Sequence, residues 1–145
     1  ISFWFNADSF TGHMFGNEYD GNFGTDFMVG AEDNAVSVGF YGHGVITPMN
    51  VLKTKNWYFV TVVVPAGAIL TSDVMVYING SLQSLTDTEE GAETLNTARG
   101  NIIIGRSVYG YFDGLVDEVR IYNRALTESE IRELYNLGER KVKIK

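Results

Sequence analysis

Residues 1–6, Ile-Ser-Phe-Trp-Phe-Asn, alternate along the chain. Ile1, Phe3 and Phe5 share one face, and Ser2, Trp4 and Asn6 share the other, which predicts a strand. The stretch AVSVGFY (35–41) is rich in strand formers. WYFVTVVV (57–64) is apolar in both phases and is therefore placed centrally, with both faces covered. DVMVYINGSLQSL (73–85) reads as a hairpin, because Asn79 and Gly80 supply the positive-φ pair of a tight type I′ turn. NIIIGRS (101–107) and GLVDEVRIYN (114–123) are the remaining predicted strands. Short apolar segments punctuated by 16 glycines and only 2 prolines imply an all-β sandwich or barrel.

One helix interrupts this pattern. Thr127 is a good N-cap with Glu130 three residues on, a capping box. Ile131, Leu134 and Tyr135 follow at helical spacing, and Gly138 stands where a C-terminal cap is expected. The predicted helix is short and lays one apolar stripe on the sandwich. The polar, acidic segment 86–99 reads as a surface loop, and the basic run 139–145 as a solvated tail or linker after a domain spanning 1–138.

Composition narrows the classes. A chain of 145 residues suits one domain, and a hydrophobic content of 45% is neither a disordered nor a membrane composition. The longest apolar run is broken by Thr61, Pro65 and Gly67, too short for a membrane helix. With 11 basic and 18 acidic side chains the net charge is −7, which disfavours phosphate backbones and hence nucleic acid. There are no cysteines, so disulfides and thiolate metal sites are excluded.

Candidate chemistry centres on Asp117 and Glu118. On a regular strand Leu115, Asp117, Val119 and Ile121 share the core phase, while Val116, Glu118, Arg120 and Tyr122 face outward. A carboxylate turned toward a core needs backbone N–H donors, a cation or water at the strand end, and a hard cation such as calcium fits oxygen ligands. Glu118 and Arg120 read as an ordinary exposed pair. Adjacent strand residues point to opposite faces, so Asp117 and Glu118 cannot flank one glycosidic bond as paired carboxylates do. His13 and His43 read as two independent loop or strand-end histidines. Segment 16–26 resembles a calcium loop only loosely, with Asp20 and Asp26 as available ligands. Aromatic residues make up 13% of the chain. Trp4 and Trp57 are expected in packing roles, whereas Tyr41, Tyr109 and Tyr111 sit beside glycines and are the rings available to stack on sugars.

The run YFDGLVDEVRIYNRALTESEIRELY (111–135) resembles the closing signature of laminin-G-like, concanavalin A-like lectin/glucanase jelly rolls. NWYFVTVVV with VMVYINGSL, NIIIGRS and ISFWFN are similar to that family's other strands. The resemblance implies an antiparallel two-sheet jelly-roll sandwich with one short C-terminal helix, and a mostly non-catalytic module of secreted or surface proteins. It also implies carbohydrate binding and a structural calcium, with Asp117 carried over as a ligand. Members usually begin some fifty residues earlier, with a strand beside the last one, so the chain is expected either to be cut from a longer protein or to have that edge covered by a homo-oligomer or second chain. The leading expectation is a carbohydrate-binding or adhesion module for a glycan or surface polysaccharide, extracellular or at the cell surface. A structural or assembly domain is the alternative, and a glycoside hydrolase a more distant one.

Overall fold

The structure, a computed structural model, describes residues 1–17, 27–40, 43–68, 71–88, 101–107 and 110–142, with backbone alone at 43, 71 and 140–142. The alternation of the first segment is realised in β1 (Ser2–Ala7), which pairs on one side with β6 (Trp57–Val63) and on the other with β13 (Gly114–Arg120). With β7 (Met75–Ile78) and β8 (Ser81–Leu82) these make a five-stranded antiparallel sheet in the order β13–β1–β6–β7–β8. The β7–β8 turn carries Asn79 at φ 52° and Gly80 at φ 76°, as the sequence predicts. The Asn79 side chain also accepts the Phe59 N–H at 2.9 Å, tying the turn to β6.

The second sheet has six strands in the order β10–β2–β3–β4–β5–β9. They are β2 (His13–Asn17), β3 (Phe27–Glu32), β4 (Ala35–Phe40), β5 (His43–Ile46), β9 (Thr86–Asp87) and β10 (Ile102–Ile104). Of these, β2, β3, β5 and β9 are not anticipated from the sequence. HMFGN, FMVGAE and HGVI each carry an internal glycine, which reads as a turn but here lies flat within a strand. The predicted single strand 101–107 divides at Gly105 (φ 79°). Beyond it β11 (Arg106–Ser107) leaves the sheet and pairs with β12 (Gly110–Tyr111) as a separate small hairpin.

Between the sheets Phe3, Phe5, Val60, Val62, Val76 and Ile78 meet Phe15, Val29, Val36, Val38, Phe40 and Val45 in one apolar core. The outer face of the five-stranded sheet is buried as well. Trp4, Phe59, Val63 and Tyr77 pack against Leu126 and Ile131, with Leu134 and Tyr135 at the margin, so helix α1 (Glu128–Val142) forms a third layer. This is why residues 57–64 are apolar in both phases.

The capping box forms as predicted. The Thr127 N–H donates to Glu130 Oε2 at 2.8 Å, and the Glu130 N–H donates to Thr127 Oγ1 at 3.3 Å. Arg124 grips both carboxylate oxygens, at 2.6 and 2.9 Å. Arg124 first, and the Thr127 bonds next, pull the Glu130 carboxyl down to about 2.

Two expectations are corrected. Gly138 is not a C-terminal cap: the helix runs through it to Val142, so residues 139–142 are helical rather than a tail. Gly138 is required instead for close approach, because a Cβ there would run into the indole nitrogen of Trp4, which is 3% exposed. Asp117 is not on the core phase either. Trp4 pairs with Asp117 but Ser2 pairs with Arg120, so β13 holds one extra residue, and Glu118 sits at φ 49° in this bulge. The insertion switches the phase: Val116 and Val119 pack on the core, while Asp117 is exposed and Leu115 and Ile121 are 61% and 57% exposed. The Glu118–Arg120 pair lies at 2.7 Å and is partly exposed, as expected.

Gly138→Ala separates close approach from simple helix propensity. An unobstructed helix position would gain about 1 kcal/mol from this change. Here urea unfolding is expected to show a loss of about 1–3 kcal/mol from overpacking against Trp4.

Candidate functional site

With helix α1 on one sheet and the core between the two, no described helix covers the outer face of the six-stranded sheet. Phe15, Val29, Val38 and Val45 point into the core, so their neighbours Gly16, Met28, Gly39 and Gly44 point out. These four are paired in a row across β2, β3, β4 and β5. The glycines let Met28 lie down: its Cε is 3.4 Å from where a Cβ on Gly39 would stand, and its Cγ 3.5 Å from that of Gly16. The result is a low floor on which Met28 is only 7% exposed.

The next row carries polar groups. His13 pairs with Gly30, Gly30 with Ser37, and Ser37 with Ile46. The imidazole lies over Gly30, where a Cβ would stand 2.7 Å from His13 Cδ2, 3.2 Å from Nε2 and 3.0 Å from Ser37 Oγ. Nε2 and the Ser37 hydroxyl therefore flank the same point of the floor. On the other side of the ring Nδ1 shares a 2.7 Å hydrogen bond with Ser107 Oγ. Ser107 is 5% exposed and reaches the face because the β11–β12 hairpin folds across β2. The hairpin can lie there because residue 12 is glycine (φ 82°), where any Cβ would strike the Tyr111 carbonyl. Burial pulls the His13 pKa below its usual 6.5, and the charge of Glu32, two residues from Gly30 on the same face, pushes it partly back. A neutral ring offers one donor and one acceptor nitrogen.

Of the sequence-derived ring candidates, Tyr111 is 78% exposed on the β11–β12 hairpin. Tyr41 and Tyr109 lie outside the described residues, as do Asp20 and Asp26. His13 and His43 each open a separate strand, in agreement with their reading as strand-end residues, yet His13 lies with Ser37 and Ser107 around Gly30. The signal for it was the pairing of a histidine with strand glycines, which becomes visible only once the register is known.

Asp117 lies in β13, on the other sheet. Its Oδ1 accepts the Glu118 N–H at 2.7 Å, which supports the backbone of the bulge. Among the described residues no group of three or more His, Cys, Asp or Glu side chains could hold a metal ion. A cavity of 610 Å³, bordered by Ile1, Phe15, Phe27, Val62, Ile102 and Leu126, has no carboxylate in its lining among the described residues.

Residues 1–132 match the sequence model of the concanavalin A-like lectin/glucanases superfamily. No curated protein matches the chain. Among solved structures the chain is similar to domain 4 of AbnA, a GH43 extracellular arabinanase from Geobacillus stearothermophilus, solved in complex with arabinotriose. The TM-score is 0.64 at 22% identity, over 92% of this chain and 64% of that one, a likeness of fold.

Two outcomes follow from this geometry. The folded state disfavours protonated His13 more than the unfolded chain does, so part of the stability is present above the unfolded value of 6.5 and lost as pH falls below it. Thermal melts at pH 7.5 and pH 5 are expected to differ less in His13→Gln than in the wild type. Asp117→Ala, at an exposed position, is expected to cost no more than about 1 kcal/mol in urea unfolding, the worth of one hydrogen bond.

Proposed function

We propose, since the chain belongs to the concanavalin A-like lectin/glucanase superfamily, that it is a non-catalytic carbohydrate-binding or adhesion module of a larger extracellular protein. The observation that carries this reading is the outer face of the six-stranded sheet, where His13 and Ser37 flank a low floor, with Tyr111 exposed on the hairpin that crosses β2. Sugars are held by surfaces that combine fixed donors and acceptors with rings that stack, and little ordering is needed when the groups are already in place. Tyr41 and Tyr109 join Tyr111 in the reading as stacking residues. The bound sugar of the arabinanase domain is in keeping with a glycan ligand here.

Non-catalysis rests on the scarcity of paired acids. Glu32 is the acid on the described outer face, whereas glycosidic hydrolysis ordinarily takes two carboxyls across one cleft. Among the described residues no helix is long and apolar enough to cross a membrane. In this reading the second chain or homo-oligomer contact covers the edge beside β13, one of the two outermost described strands of its sheet, where Leu115 is more than half exposed. Calcium enters the proposal through the family resemblance alone, now that the burial that had argued for it at Asp117 is absent. A calcium-dependent fold loses melting temperature on adding a chelator, and an unchanged melt removes calcium from the account.

A glycan array probed with the purified chain is expected to show binding to at least one polysaccharide, with no release of reducing sugar. An array with no bound glycan at all would favour a structural or assembly domain. Release of reducing sugar, abolished by mutating an acid, would restore the hydrolase.

A further inference from the structure

We propose that the outer face of the six-stranded sheet selects neutral glycans over uronate-containing ones, with His13 and Ser37 as the groups that read sugar hydroxyls; this rests on the carbohydrate-binding reading. The first support is charge. No Lys or Arg occurs in any of the six strands, whereas Glu32 stands on the outer face and Asp87 at the sheet edge. A glycan carboxylate is ordinarily met by a guanidinium fork or an ammonium. On this floor it meets a carboxylate instead, within a chain whose net charge is −7. Arg106 is the cation to watch, since it stands on β11 opposite Tyr111, on the hairpin rather than in the sheet.

The second support is the chemistry of the His13 cluster. A sugar hydroxyl both donates and accepts, and so do a neutral imidazole and a serine hydroxyl taken together. Nε2 and Ser37 Oγ border one point above Gly30, and both side chains are partly exposed. Ser107 is too buried to touch a ligand. It acts as a positioning residue that holds the ring through Nδ1. Gly30 keeps the ring flat against the sheet, so the two polar groups are pre-set before a sugar arrives.

The test uses the whole chain and titration calorimetry at pH 7.5 and low salt. The neutral probes are linear arabinan, xylan, mannan and cello-oligosaccharides, and the acidic probes are polygalacturonate and alginate. The best neutral probe is expected to bind at least about tenfold more tightly than either acidic one. His13→Ala and Ser37→Ala are each expected to weaken it about threefold to tenfold, the worth of one hydrogen bond. Gly30→Ala, which keeps both polar groups but displaces the ring, is expected to weaken it similarly. Ser37→Ala serves if His13→Ala fails to fold, and circular-dichroism melts identify that case. Equal or tighter binding of a uronate, or wild-type affinity in both Ser37→Ala and Gly30→Ala, overturns this inference while the carbohydrate-binding reading stands. If no probe of either kind binds, this inference falls, and the glycan array decides the carbohydrate-binding reading.

Discussion

Two stacked sheets have four faces, and this chain has enough apolar surface for three of them. The inner faces meet in the core around Phe3, Phe5, Val36 and Val60, and the outer face of the five-stranded sheet takes helix α1 over Trp4 and Phe59. Burial of this kind stabilises by roughly 25 cal/mol per Å² of apolar area removed from water. The sandwich therefore stands as much on the helix layer as on the sheets. The remaining face belongs to the six-stranded sheet, and its side chains are not committed to the core.

That freedom shows in the residues placed there. A solvent-facing sheet ordinarily carries tall polar side chains, but here glycines alternate with Met28 and leave a low surface. Glycine within a strand weakens it and often marks close approach by another group. Some of that approach is internal, since His13 lies over Gly30 and Met28 beside Gly39. What it produces is a shallow floor that carries the polar atoms of His13 and Ser37 and has no cationic side chain in its strands.

The two corrected residues show how local reading goes wrong. The inward placement of Asp117 assumed an unbroken two-residue period, and a single inserted residue at Glu118 reverses every position on one side of it. Gly138 stands where a helix commonly stops, because glycine after a helical stripe is a common C-terminal cap. Its reason for being there is the indole of Trp4, more than 130 residues away in sequence, which no local pattern can register. The capping box at Thr127 and Glu130 and the turn at Asn79 and Gly80 were legible because their partners lie within a few residues.

The sequence by itself determined the all-β class, the central two-faced strand, the β7–β8 turn and the start of the helix, because each depends on periodicity or on contacts close along the chain. Tertiary structure alone decided which face stays open, where β13 changes phase, and that His13, Gly30, Ser37 and Ser107 come together. Those four lie on four different elements, up to 94 residues apart for the His13–Ser107 bond, and only strand register and the fold of the β11–β12 hairpin bring them into contact. Register is a property of pairs of strands, so a single strand read alone does not contain it.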